Sequence, residues 1–181
     1  MSAIDNDKRL IFIHVPKTGG TSMESNNRLG RVETRHYGID HYAKLVNLDD
    51  YFKFAFVRNP YDRLASAIVN HVLNGQRVTK KVFAETLARH KNMLGKWIAT
   101  KPQHTFICLD GKIAVDIVGR FENLEEDWTK ICKKTGVIPS LGHEKRSDHS
   151  PAFYKGIYNK ESKAIVSRVY KKDFILFDYQ K

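Results

Sequence analysis

Apolar residues in this chain recur in two rhythms. Leu10 to Ile13 and the aromatic-rich run Tyr51 to Val57 are short, continuous and bounded by polar or turn-forming residues, which predicts buried strands. Helical spacing appears in four places. The first begins with Asn59 as N-cap and Pro60 at the first helical position and runs towards Asn74 through Leu64, Ile68 and Val72. The second lies between Val82 and Ile98 through Phe83, Leu87, Leu94, Trp97 and Ile98. Leu124, Trp128 and Ile131 mark the third, from Asn123 to Thr135, with Gly136 just beyond its end. The last, Lys160 to Phe177, carries Ile165, Val166, Val169, Tyr170 and Phe174 on one face. Thr105 to Leu109 and Ala114 to Val118 read as two more strands, joined by the hairpin signal Asp110-Gly111. Strands separated by helical segments predict an α/β fold with a mainly parallel sheet flanked by helices. A length of 181 residues suits one domain, with residues 1–8 expected to be a flexible, polar N-terminus.

Chemistry concentrates after the first strand, in Arg9 to Glu24, RLIFIHVPKTGGTSME. Gly19 and Gly20 let the backbone take conformations closed to other residues and approach a ligand closely. The amides of Thr18 to Ser22 and the ammonium of Lys17 then form an anion site suited to phosphate. An ordinary strand-to-helix turn needs neither Lys17 nor hydroxyls at Thr18, Thr21 and Ser22. A nucleoside-triphosphatase loop is excluded, because there the Lys follows the second Gly, whereas Lys17 precedes both. The second strand ends at Arg58, a forked donor suited to a phosphate dianion, and Ser66 follows about two turns into the next helix.

Charge fits an anionic ligand without naming it. The formal net charge is +11, spread as +5 over residues 1–90 and +6 over 91–181. No zinc-finger spacing, RNP-type aromatic motif or base-reading basic helix accompanies it, so nucleic acid is not an expected partner. Cys108 and Cys132 lack CxxC spacing, and no carboxylate or Cys completes a set with His143 and His149, so no metal is expected. There is no apolar signal core and no run of about 18 apolar residues, which makes a cytoplasmic location the expectation.

HVPKTGGTS resembles the 5′-phosphosulfate loop of carbohydrate-type sulfotransferases that use 3′-phosphoadenosine 5′-phosphosulfate (PAPS). FAFVRNPYDRLASAI resembles their 3′-phosphate segment, in which a strand-terminal Arg and a Ser eight positions later hold the phosphate, as Arg58 and Ser66 do in type and spacing. VGRFENLEEDW and YKKDFILFDY are similar to later family stretches, whereas the usual LPHxNxS loop is altered to LGHEKRS, with Lys145, Arg146 and Ser147 unassigned. The resemblance implies a P-loop-like sulfotransferase fold and PAPS as sulfuryl donor, without metal. It implies that Lys17, Thr18, Gly19, Gly20, Thr21 and Ser22 hold the 5′ end and that Lys17 acts in catalysis. The general base is His36, behind Arg35, with His41 as the second choice. The acceptor is a hydroxyl, of a glycan or glycoconjugate. Arg120 and Glu122 are assigned to the site or to its support. Animal members of the branch are Golgi-anchored. An ATP-dependent kinase and a non-catalytic nucleotide or glycan binder are the alternatives, and the oligomeric state is left open.

Overall fold

The computed structural model describes residues 1–24, 29–74, 78–137 and 156–181. These form two compact units: Met1–Arg58 with the described part of Gln103–Arg146, and Asn59–Pro102 with the described part of Ser147–Lys181.

A five-stranded mixed sheet organises the first unit. Its strands are β1 (Ala3–Asp5), β2 (Leu10–Ile13), β3 (Arg31–Val32), β4 (Phe52–Val57) and β7 (Ile117–Arg120), in the order β3-β1-β2-β4-β7. The half that carries the candidate site is parallel, with Ile13 opposite Ala55 and Val57 opposite Arg120. On the other side of β2, β1 pairs antiparallel with both β2 and the edge strand β3. Residues 1–8, expected to be flexible, thus hold a strand instead. Three residues are too few to show a periodicity, and the strand is secured by contacts the pattern does not reveal. Ser2 is fully buried; its hydroxyl donates to the Tyr37 carbonyl (2.8 Å) and accepts the His14 N–H (3.1 Å).

Alternation along β2 and β4 sends Leu10, Phe12, Phe54 and Phe56 into one core, where they meet Trp128, Ile131 and Cys132 of α6 (Leu124–Thr135). Gly119 is a packing requirement there, since a Cβ would lie 2.5 Å from the Phe56 ring. Helix α6 ends at Gly136 in the left-handed region (φ 70), as expected, whereas Asn123 precedes it without a side-chain cap bond. Two shorter helices belong to this unit, α1 (Gly20–Glu24) and α2 (Ile39–Tyr42). The Asp110-Gly111 turn is present, with φ of 49 and 77, but it joins only β5 (Cys108–Leu109) and β6 (Lys112–Ile113). His104–Ile107 forms a helical turn, α5, where a strand was expected, and the last sheet strand starts at Ile117 rather than Ala114. Short apolar runs do not distinguish strand from helix by period.

The second unit is helical. α3 (Pro60–Ile68) is capped by Asn59, whose side chain accepts the Tyr61 N–H (2.9 Å), and continues as a π turn to Leu73. α4 (Lys80–His90), α7 (Lys160–Val169) and α8 (Lys171–Leu176) follow. Leu64, Ile68, Phe83, Leu87, Tyr158, Val166, Tyr170 and Phe174 form its core. The helix expected to reach Ile98 stops at His90, and Gly95 turns the chain with φ 79. The expected terminal helix is two helices meeting at Tyr170, whose hydroxyl donates to the Thr100 carbonyl (2.6 Å). Fully buried Arg63 donates to the carbonyls of Ala99 and Lys101, with its guanidinium 5.6 Å from the Tyr170 ring centroid.

Charge is divided unequally. Among the described residues the first unit carries 13 Lys and Arg against 13 Asp and Glu, and the second 13 against 5. Over the full bounds of the two units the counts are 16 against 14 and 15 against 6, so the even spread along the sequence becomes one nearly neutral and one strongly basic unit. No helix among the described residues is long and apolar enough to cross a membrane.

Candidate active site

Parallel strands place their carboxyl ends together, and the candidate residues of the first unit lie where β2, β4 and β7 end. After Ile13 the chain buries His14, Val15 and Pro16, and Lys17 then takes a left-handed conformation (φ 70) that few non-Gly residues adopt. Thr18 is fully buried, and its hydroxyl donates to the Val15 carbonyl (2.8 Å), so the side chain shapes the loop from within. Gly19 follows with φ 83, and the Ser22 N–H donates to its carbonyl (3.1 Å) to close the first turn of α1. That amide is therefore engaged within the chain, unlike the expectation that all amides from Thr18 to Ser22 face a ligand. Gly20 has a steric role: a Cβ there would lie 2.3 Å from the His14 ring.

Arg58 leaves the end of β4 and is 6% exposed. Its backbone is clasped by the fully buried Gln103 side chain, which accepts the Arg58 N–H (2.9 Å) and donates to the Arg58 carbonyl (2.8 Å). The guanidinium donates to the Lys17 carbonyl (3.4 Å) and lies 4.1 Å from the centroid of the Phe121 ring, just past β7. The same ring would meet a Cβ on Gly19 at 3.1 Å.

His36 is held to the start of the loop. Its Nδ1 is 2.9 Å from the His14 carbonyl oxygen, and its ring meets the His14 ring edge-on, with centroids 4.5 Å apart. A carbonyl only accepts, so Nδ1 carries the proton of this bond and the neutral ring keeps its lone pair on Nε2. Burial lowers the pKa of His36 below the ordinary histidine value and that of His14 well below it. His41 stacks on Tyr37 instead, with centroids 3.9 Å apart.

The sequence profile described as "Sulfotransferase family" matches residues 2–180. This chain belongs to the sulfotransferase family. It is similar to carbohydrate sulfotransferase 11 of Danio rerio (24% identical) and of Rattus norvegicus (25%), each match covering 97% of this chain and 66% of the relative. An uncharacterized protein of Archaeoglobus fulgidus is 34% identical over 51% of this chain and 74% of its own length. The chain thus spans just under two thirds of the carbohydrate sulfotransferase 11 relatives. No solved structure matches it.

Within this sulfotransferase-family chain, the first unit brings together Lys17, Thr18, Gly19, Gly20, Thr21, Ser22, His36 and Arg58. Ser66 is buried on α3 of the second unit. Arg120 supports the strand end, its N–H donating to an Asp127 carboxylate oxygen (2.9 Å), and Glu122 is exposed. The altered loop with His143, Lys145, Arg146, Ser147 and His149 lies outside the described residues. Sequence reasoning missed His14, Gln103 and Phe121. His14 and Phe121 stand inside the quoted motifs, which is the signal that finds them; Gln103 has no local signal. Among the described residues, no group of three or more His, Cys, Asp or Glu is placed to hold a metal ion.

Proposed function

We propose that this chain is a sulfotransferase that moves the sulfuryl group of PAPS to a carbohydrate hydroxyl, the whole chain acting as one catalytic domain. The observation that carries the reading is the His36–His14 bond, which holds the proposed base beside the start of the proposed phosphosulfate loop. A loop with left-handed backbone at Lys17 and Gly19 suits a phosphosulfate group at close approach. Bound PAPS supplies an activated sulfuryl group with 3′-phosphoadenosine 5′-phosphate as its leaving group. Lys17 and the amides of the Thr18 to Thr21 stretch hold that end, and the ammonium offsets the charge that develops as the leaving group departs. Arg58 reads the 3′-phosphate, and Ser66 is its assigned partner. His36, through Nε2, accepts the proton of the acceptor hydroxyl. The sugar acceptor is proposed from the similarity to carbohydrate sulfotransferases.

Thermal stability with 3′-phosphoadenosine 5′-phosphate, adenosine 5′-phosphosulfate and ATP with magnesium tests the donor. Selective stabilisation by the first, about 2.7 kcal/mol at 100 times its dissociation constant and lost in Arg58→Ala, is expected. Preference for ATP with magnesium overturns the reading. His36→Ala is expected to lose roughly 10² to 10⁴-fold in turnover while keeping nucleotide affinity, and full turnover rejects its role. Since burial lowers the His36 pKa, the acid limb of the rate is expected below the ordinary histidine range. Stability has the same sign: the unfolded chain takes up these protons near pH 6.5 and the folded chain only lower, so stability is lost as pH falls below that value.

A further inference from the structure

Phe121 touches both phosphate-reading elements of the first unit. One face of the ring lies 4.1 Å from the Arg58 guanidinium carbon. Its edge borders Gly19, where an added Cβ would meet two ring carbons at 3.1 and 3.2 Å. The Arg58 guanidinium also reaches back to the Lys17 carbonyl (3.4 Å), so ring, arginine and loop form a closed circuit. Glycine at 19 is then required twice, for its φ of 83 and for the room the ring takes.

An aromatic face suits this place because it attracts a cation without cancelling its charge. Guanidinium stacked on a ring keeps its edge donors directed outward, where a phosphate dianion accepts them. We infer that Phe121 is a positioning residue for donor recognition: it orients Arg58 towards the 3′-phosphate and couples that arginine to the 5′ loop through Gly19. The inference rests on the donor reading above and adds a determinant of 3′-phosphate selectivity outside both motifs that bear the phosphates.

The test is the ratio of affinities for 3′-phosphoadenosine 5′-phosphate and 5′-AMP, measured by calorimetry, which isolates the 3′-phosphate. Phe121→Leu is expected to cut this ratio about ten-fold, the scale of a desolvated cation–π contact, with 5′-AMP affinity unchanged. Phe121→Tyr, which keeps the ring face, is expected to restore it. Replacement of Phe121 by 3,4,5-trifluorophenylalanine keeps the shape, weakens the face, and is expected to lower the ratio even if Phe121→Leu fails to fold. A ratio unmoved by fluorination, or a Phe121→Leu that weakens both nucleotides equally, reduces the ring to packing and overturns the inference. A wild-type protein that does not prefer the 3′-phosphorylated nucleotide overturns the donor reading itself, and the two failures are distinguished in that first titration.

Discussion

Gly20→Ala probes the seat of the site. The added Cβ would lie 2.3 Å from two atoms of the His14 ring, where contacts of about 3.5 Å are normal, so ring or loop must yield by about 1 Å. The ring has little room, since His14 is 5% exposed, stacks on Phe12 with centroids 5.6 Å apart, and abuts His36. Overpacking of this kind costs roughly 1–3 kcal/mol. That cost corresponds to a melting point lowered by roughly 2–12 °C in a chain of this length. Urea unfolding and turnover measure the two consequences. Gly111→Ala is the control: it has φ 77 and nothing within 4 Å of the new Cβ, so it bears only the left-handed backbone cost of about 1–2 kcal/mol. A Gly20→Ala protein as stable as the wild type, with wild-type turnover, would refute the seating of His14 beneath the loop.

Two further substitutions separate stability from function. Arg63→Met leaves the buried Ala99 carbonyl and the part-buried Lys101 carbonyl without the guanidinium and is expected to cost about 2–5 kcal/mol in equilibrium unfolding, while a loss under 1 kcal/mol would show that water replaces it. Lys17→Gly removes the strain of φ 70 but adds backbone entropy, so stability is expected to stay within about 1 kcal/mol while turnover falls at least ~100-fold; retained turnover would remove Lys17 from the chemistry.

Legibility in the sequence followed the length scale of each signal. β2 and β4 were readable because unbroken apolar runs have few alternatives, and the Asn59-Pro60 cap because both residues act locally. The loop after β2 stood out as a candidate anion site because Lys17, Gly19 and Gly20 are unusual together. What escaped depended on distant partners. β1 exists through pairing with Leu10 to Phe12, and the break at Tyr170 accompanies its bond to Thr100, 70 positions away. His36 was named by its place between motifs, but its tautomer depends on a carbonyl 22 residues earlier. Gln103 carries no pattern because its role is to clasp another segment's backbone.

That clasp also bears on how the chain folds. β7 pairs with β4 only after the polypeptide has left the sheet at Arg58 and come back at Gln103, and the Gln103 amide joins those two points by both of its hydrogen-bonding groups. Parallel pairing across such an excursion is non-local and belongs to the slow regime of folding, since closure entropy must be met before any contact rewards it. Until that closure, the β4 edge that will receive β7 is unpaired, and newly made protein is most prone to associate through it. Because both bonds are buried, the side chain at position 103 bears on equilibrium stability as well as on refolding yield.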